Sequence, residues 1–92
     1  MNIERLPPQA VEVEQAILGA CLIQRSAIGR AASLLHSDEV FYHGPHGRIW
    51  AAILALEAKG EAVDQLTVVE ELKRRGQLDA VGGVAYMSEL GM

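Results

Sequence analysis

The chain has 92 residues, half of them apolar and 22% charged, with a formal charge of −4 and an isoelectric point near 5.2. That length fits one small domain able to bury roughly 60–65% of its unfolded surface, and the apolar fraction excludes a disordered chain. The acidic balance excludes a surface that grips nucleic acid by charge alone, which normally carries a pI above about 9. The single cysteine, Cys21, permits no internal disulfide and fits a reducing compartment. Residues 1–8 lack the apolar core of a signal peptide, and no apolar run approaches the length of a membrane span. The sequence therefore reads as soluble and cytoplasmic, with no membrane partner.

Residues 1–8 are expected to form an extended arm, because Pro7-Pro8 pushes Leu6 and Pro7 away from helical geometry. Residues 9–92 form the single domain. Its first helix starts near Gln9, with Ala10, Val11, Val13, Ile17, Leu18, Cys21 and Leu22 on an inner arc and Glu12, Gln15 and Gly19 opposite. Glu14 falls inside that arc. A buried carboxylate needs a partner, and Arg48, Tyr42 and His46 are the candidates. A catalytic acid would need a second carboxylate placed to complete the site, and none is, so a structural hydrogen bond is the preferred reading.

Ser26 is a plausible N-cap for a short second helix, in which Ile28, Ala31, Ala32 and Leu35 repeat at helical spacing and which ends by His36. Residues 37–40 read as one capped turn, and Phe41-Tyr42 as two rings dropped onto the core. The stretch from Pro45 to Gly60 is the centre of the chain. Ile49, Trp50, Ile53, Leu54 and Leu56 make one broad apolar stripe, with Arg48, Glu57 and Lys59 facing water. Pro45 suits a first helical turn and Gly60 the left-handed position past a last one. Trp50 is the largest apolar group in a chain with only 4% aromatic residues, so the other helices are expected to pack around it.

After an extended segment at 61–64, Thr67 and Glu70 have the spacing of a capping box. Val68, Val69 and Leu72 form the inner face of a fourth helix, Lys73, Arg74 and Arg75 complement its carbonyl end, and Gly76 closes it. Residues 77–83 form a turn, and Val84 to Leu90 a last helix. The fold class is all-α, a compact bundle of about five or six short helices.

Little in this pattern carries chemistry. The sequence has no phosphate-binding loop and no dinucleotide fingerprint. His36, His43 and His46, with Asp38 and Cys21, could supply metal ligands, but no second Cys or His pair accompanies them. Cys21 faces inward and reads as a small core residue. Catalytic, cofactor-binding and metal residues are all expected to be absent.

Leu6-Pro7-Pro8, Glu12-Val13-Glu14-Gln15-Ala16-Ile17-Leu18-Gly19, Val40-Phe41-Tyr42 and the run from His46 to Trp50 carry a pattern. So do Gly60 to Asp64, Thr67 to Leu72 and Gly76 to Leu90. Together, over residues 6–90, they resemble the N-terminal domain of DnaB-type bacterial replicative helicases. The resemblance implies an orthogonal helical bundle that is the head of the helicase's N-terminal collar, without the helical hairpin that follows it in family members. It implies a non-catalytic domain that organises the collar and recruits primase. The parent it implies is a homo-hexameric, ATP-dependent helicase at the replication fork, with ATP, Mg and DNA held by an absent C-terminal domain, and a helicase loader is a further partner in some lineages. Two matched positions are candidate partner contacts. Glu12 lies in the Pro-Pro-x-x-x-Glu motif, where helix-dipole complementation is the alternative role, and Tyr86 in Gly-Gly-x-Ala-Tyr, where packing against Leu90 is the alternative. Two other functions compete: the related helicase-binding domain of a primase, and a small histidine-dependent metal enzyme.

Overall fold

The computed structural model describes residues 11–35, 41 and 43–91, without the side chain of Leu34. The N-terminal arm, the turn at 37–40 and Tyr42 lie outside the described residues. Five α-helices follow one another: α1 (Val11–Ile23), α2 (Ser26–Leu34), α3 (Gly44–Ala58), α4 (Gln65–Arg74) and α5 (Gly83–Leu90). A single 3₁₀ turn, Asp79–Val81, precedes α5, and there is no strand among the described residues. The architecture is all-α, as the periodicity predicts.

α3 is the hub. It packs against α1, α4 and the 3₁₀ turn, while α1 also meets α2 and α5. Ile49, Trp50, Ala52 and Ile53 are completely buried, and Leu56 nearly so. The Phe41 ring lies tilted against Trp50 with centroids 6.1 Å apart. The indole thus sits where the sequence puts it. Burying a side chain of that kind stabilises a fold by about 1.5–3 kcal/mol over leaving it in water. Its Nε1–H has no hydrogen-bond partner among the described residues. Pro45 lies in the first turn of α3, and Gly60 and Gly76 take positive φ values of 72° and 71° past the ends of α3 and α4.

Three local expectations are corrected. α1 is rotated relative to the sequence arc. Its buried residues are Glu14, Leu18, Gly19, Cys21 and Leu22, whereas Val13 is exposed. The reason is α5, which occupies the Gly19 side: a Cβ on Gly19 would stand 2.2 Å from the Leu90 carbonyl oxygen. Only a residue without a side chain lets the two backbones meet there. Ser26 does not cap α2, because it is already the first helical residue and Arg25, with no side-chain cap, precedes it. The two-residue turn supplies backbone acceptors instead, with Ala27 N–H donating to Gln24 O at 2.9 Å and Ile28 N–H to Arg25 O at 3.0 Å. Ala32, expected on the inner face of α2, is exposed, and Ala27 is buried in its stead.

The capping box of α4 starts three residues earlier than Thr67-x-x-Glu70. Asp64 is the N-cap: its side chain accepts from Thr67 N–H at 2.9 Å, and the Thr67 hydroxyl accepts from Asp64 N–H at 2.9 Å. Buried Val63 anchors the chain just before it, so Asp64, with extended φ −152° and ψ −178°, is the boundary. At the far end of the bundle, Gln65 opens α4 and donates to the Met87 and Ser88 carbonyls at 2.9 and 3.2 Å. It thereby satisfies acceptors that the last turn of α5 leaves open.

Candidate functional site

Three polar side chains meet where α1, α3 and α5 converge. Glu14 from α1 and His46 from α3 are both completely buried, and Tyr86 from α5 is half-buried. His46 Nδ1 lies 2.8 Å from Glu14 Oε1, and its Nε2 is hydrogen-bonded to the Tyr86 hydroxyl. Gln15 Nε2 donates to that hydroxyl at 3.1 Å. The backbone N–H of His43 donates to Glu14 Oε1 at 3.2 Å. Of the three partners expected for Glu14, the structure confirms His46, Arg48 points to solvent, and Tyr42 lies outside the described residues.

The imidazole is held by rings as well. It stacks on Tyr86 with centroids 5.9 Å apart, and meets Phe41 and His43 edge-on at 6.3 and 4.6 Å. Burial lowers the His46 pKa and the neighbouring His43 adds to that, while the Glu14 hydrogen bond and charge oppose it. The outcome is a neutral ring, with Nδ1–H donating to the carboxylate and Nε2 accepting from Tyr86. Acid, imidazole and hydroxyl in line are also the parts of a nucleophilic relay. Here, however, the imidazole is inaccessible and the hydroxyl is tied to Gln15, so the arrangement fixes three helices in register. With both His46 nitrogens engaged, His43 and His46 do not converge on a cation. No group of three His, Cys, Asp or Glu able to hold a metal exists among the described residues.

A second polar centre closes the opposite side. Glu71 on α4 is buried and accepts from Arg74 Nη2 at 2.6 Å and Arg75 Nε at 2.7 Å, with Lys59 Nζ 3.9 Å away. Those hydrogen bonds, Arg74's foremost, bring its pKa down to about 2. Arg74 and Arg75 are therefore engaged by Glu71 at the helix terminus, while exposed Lys73 lies 3.9 Å from Glu70. Sequence reasoning passed over Glu71, although its i+3 and i+4 spacing to Arg74 and Arg75 was visible. It also put Gln15 and Gly19 on the polar side of the first helix, where nothing local marks their contact with α5.

The two candidate partner contacts are separated by the fold. Glu12 is exposed on the first turn of α1, beside a concave surface that it lines with Gln15, Ala16, Gly19, Ala20, Ile23, Glu89 and Leu90. Tyr86 gives its hydroxyl to the interior and packs its ring on His46. Cys21 is buried, which pushes its thiol up to about 11.

This three-helix junction, built from Glu14-Gln15, His46 and Tyr86, spans the two halves of the chain, and residues 6–92 match the family model described as DnaB-like helicase N terminal domain. The chain belongs to that family. The replicative DNA helicase DnaB of Rhodothermus marinus is 54% identical over 86 residues, which cover 94% of this chain and 9% of that protein. DnaB of Geobacillus stearothermophilus is 44% identical over 87 residues, covering 95% of this chain and 19% of its own length. The crystal structure of the N-terminal domain of DnaB helicase from Mycobacterium tuberculosis superposes with a TM-score of 0.88 at 38% identity, covering 94% of this chain and 62% of that one. The DnaB N-terminal fold is thus shared throughout, while the chain spans less than a fifth of either helicase. The competing assignment to a primase gives way to this match.

Proposed function

We propose that this chain is the head of the N-terminal collar of a hexameric replicative helicase, and that it acts by assembly and docking. Membership of the DnaB-like family over residues 6–92 carries the reading. The parent protein unwinds duplex DNA at the replication fork of a bacterial cytoplasm with energy from ATP. ATP, Mg and DNA are held outside this chain, whose residues do not fit the nucleotide: it has no Gly-rich phosphate loop ending in Lys. Its own partners are other copies in the ring, primase and, in some lineages, a loader. Tethering primase to the ring raises the local concentration of primase at the fork without new contacts to the DNA.

The charge supports a protein partner over DNA, since a net −4 repels phosphate. Glu12 is the more accessible of the two contact candidates. Tyr86 serves through its ring edge, with its hydroxyl already committed. The test is a titration of the purified 92-residue chain against a primase helicase-binding domain, followed by fluorescence anisotropy. Saturable binding, weakened about tenfold by Glu12→Lys with the fold intact, is expected. Absence of binding by both proteins would sink the docking role, and ATP hydrolysis by the purified chain would sink its non-catalytic character.

A further inference from the structure

The hydrogen bonds around His46 have a direction. The Glu14 carboxylate only accepts, so the single proton of the neutral imidazole sits on Nδ1. Nε2 then presents a lone pair, which the Tyr86 hydroxyl fills by donating. The Tyr86 oxygen accepts in turn from Gln15 Nε2 at 3.1 Å. A second proton on the ring turns Nε2 into a donor. Tyr86 must then accept from it and send its own hydroxyl proton elsewhere. Gln15 is its other neighbour, and a carboxamide carries an acceptor as well as donors, so a half-turn of the Gln15 amide restores every bond.

We propose that Glu14, His46, Tyr86 and Gln15 form a proton-operated relay, in which one protonation at His46 is read out at the α1 and α5 edge as reversal of the Gln15 amide. The groups facing His46 decide which state prevails. From α1 the Glu14 carboxylate favours the proton. The neighbouring His43 and the burial of the ring oppose it, and burial dominates. From α5 the Tyr86 hydroxyl can donate or accept and so serves either state. The relay therefore rests with His46 neutral at pH 7 and reverses on acidification. Gln15 is half-buried and lines the concave surface between Glu12 and Glu89. Its outward group is a carbonyl in the resting state and an amino group in the reversed one. By linkage, a partner that donates to that carbonyl holds His46 neutral, and one that accepts from the amino group draws a proton onto it. The inference does not depend on which protein docks there.

Nitrogen-15 NMR of the whole chain between pH 8 and pH 4.5 tests it. At pH 8 the His46 ring signals should show hydrogen on Nδ1 and a bare Nε2. On acidification the His46 Nε2 and Gln15 carboxamide signals should move together, with one midpoint below 6.5. In Tyr86→Phe, His46 should still titrate while the Gln15 amide stays still. In Gln15→Leu the His46 midpoint should fall, because the charged state loses its acceptor. A resting proton on Nε2, a wild-type Gln15 signal that ignores the His46 midpoint, or an unchanged midpoint in Gln15→Leu would overturn the relay. So would collapse of all backbone signals at that midpoint, which would mark plain acid unfolding.

Discussion

Gly19 and Leu90 touch backbone to backbone: the Leu90 carbonyl oxygen lies 2.2 Å from where a Cβ on Gly19 would stand. Glycine in the middle of a helix normally costs about 1 kcal/mol relative to alanine. At this position the sign reverses. Gly19→Ala cannot be absorbed by a rotamer change, because the opposing atom belongs to the backbone, so α5 must shift away from α1. A loss of about 1–3 kcal/mol is expected, seen as a lower urea midpoint. Gly29→Ala on the exposed face of α2, with nothing within 4 Å of its Cβ, should instead leave the midpoint unchanged or raise it.

Acid should destabilise the domain in two windows, one opening below pH 6.5 and one below pH 4.5. The His46 pKa is lowered from its ordinary 6.5 by burial. The unfolded chain therefore binds that proton more readily, and the contribution is complete above pH 6.5 and lost as the pH falls below it. Glu71, held near 2 against an ordinary 4.5, contributes above pH 4.5 and is lost as the pH falls from 4.5 toward 2. Urea midpoints measured from pH 7.5 to pH 3 should fall in both windows. His46→Gln should flatten the upper fall alone, and Glu71→Gln the lower alone.

Among the described residues, removing the Glu14 carboxylate strands the His46 ring N–H and the His43 backbone N–H. Glu14→Ala is expected to cost about 1–3 kcal/mol for each buried donor left without an acceptor. Glu14→Gln keeps one acceptor oxygen and should cost less. Differential scanning calorimetry of both variants would show the ranking.

The shifted cap on α4 separates two acidic residues by their effect. Asp64→Ala removes the acceptor for Thr67 N–H and should cost about 1 kcal/mol. Glu70 is exposed and only 3.9 Å from Lys73 Nζ, so Glu70→Ala should stay within about 0.5 kcal/mol. Equal losses in chemical denaturation would restore the Thr67-x-x-Glu70 box.

Cys21 should be silent in the native state. With the thiol raised to about 11, roughly one molecule in a thousand carries the thiolate at pH 8, and the side chain is fully buried besides. Alkylation at pH 8 should proceed only at the rate of unfolding and rise sharply in 6 M urea. Fast labelling of the folded chain would contradict the packing of α1.

Much of the architecture was legible from residues alone. The stripe of Ile49, Trp50, Ile53 and Leu56 has a 3.6-residue period, and Pro45, Gly60 and Gly76 mark ends, because helical periodicity and backbone restriction are local properties. The presence of a carboxylate in the inner arc of α1 was legible too, and with it the need for a partner. Tertiary structure alone decided that His46, 32 residues away, is a partner, that Tyr86 closes the other side of the ring, and that α5 lies on Gly19 and turns Val13 outward. Those contacts depend on where separate helices cross, and spacing along one helix holds no information about the rotation of another. The caps at Ser26 and Thr67 went astray for the same reason: packing between helices set the boundaries, which made Asp64 the cap of α4 and left Ser26 inside α2 with no side-chain cap before it.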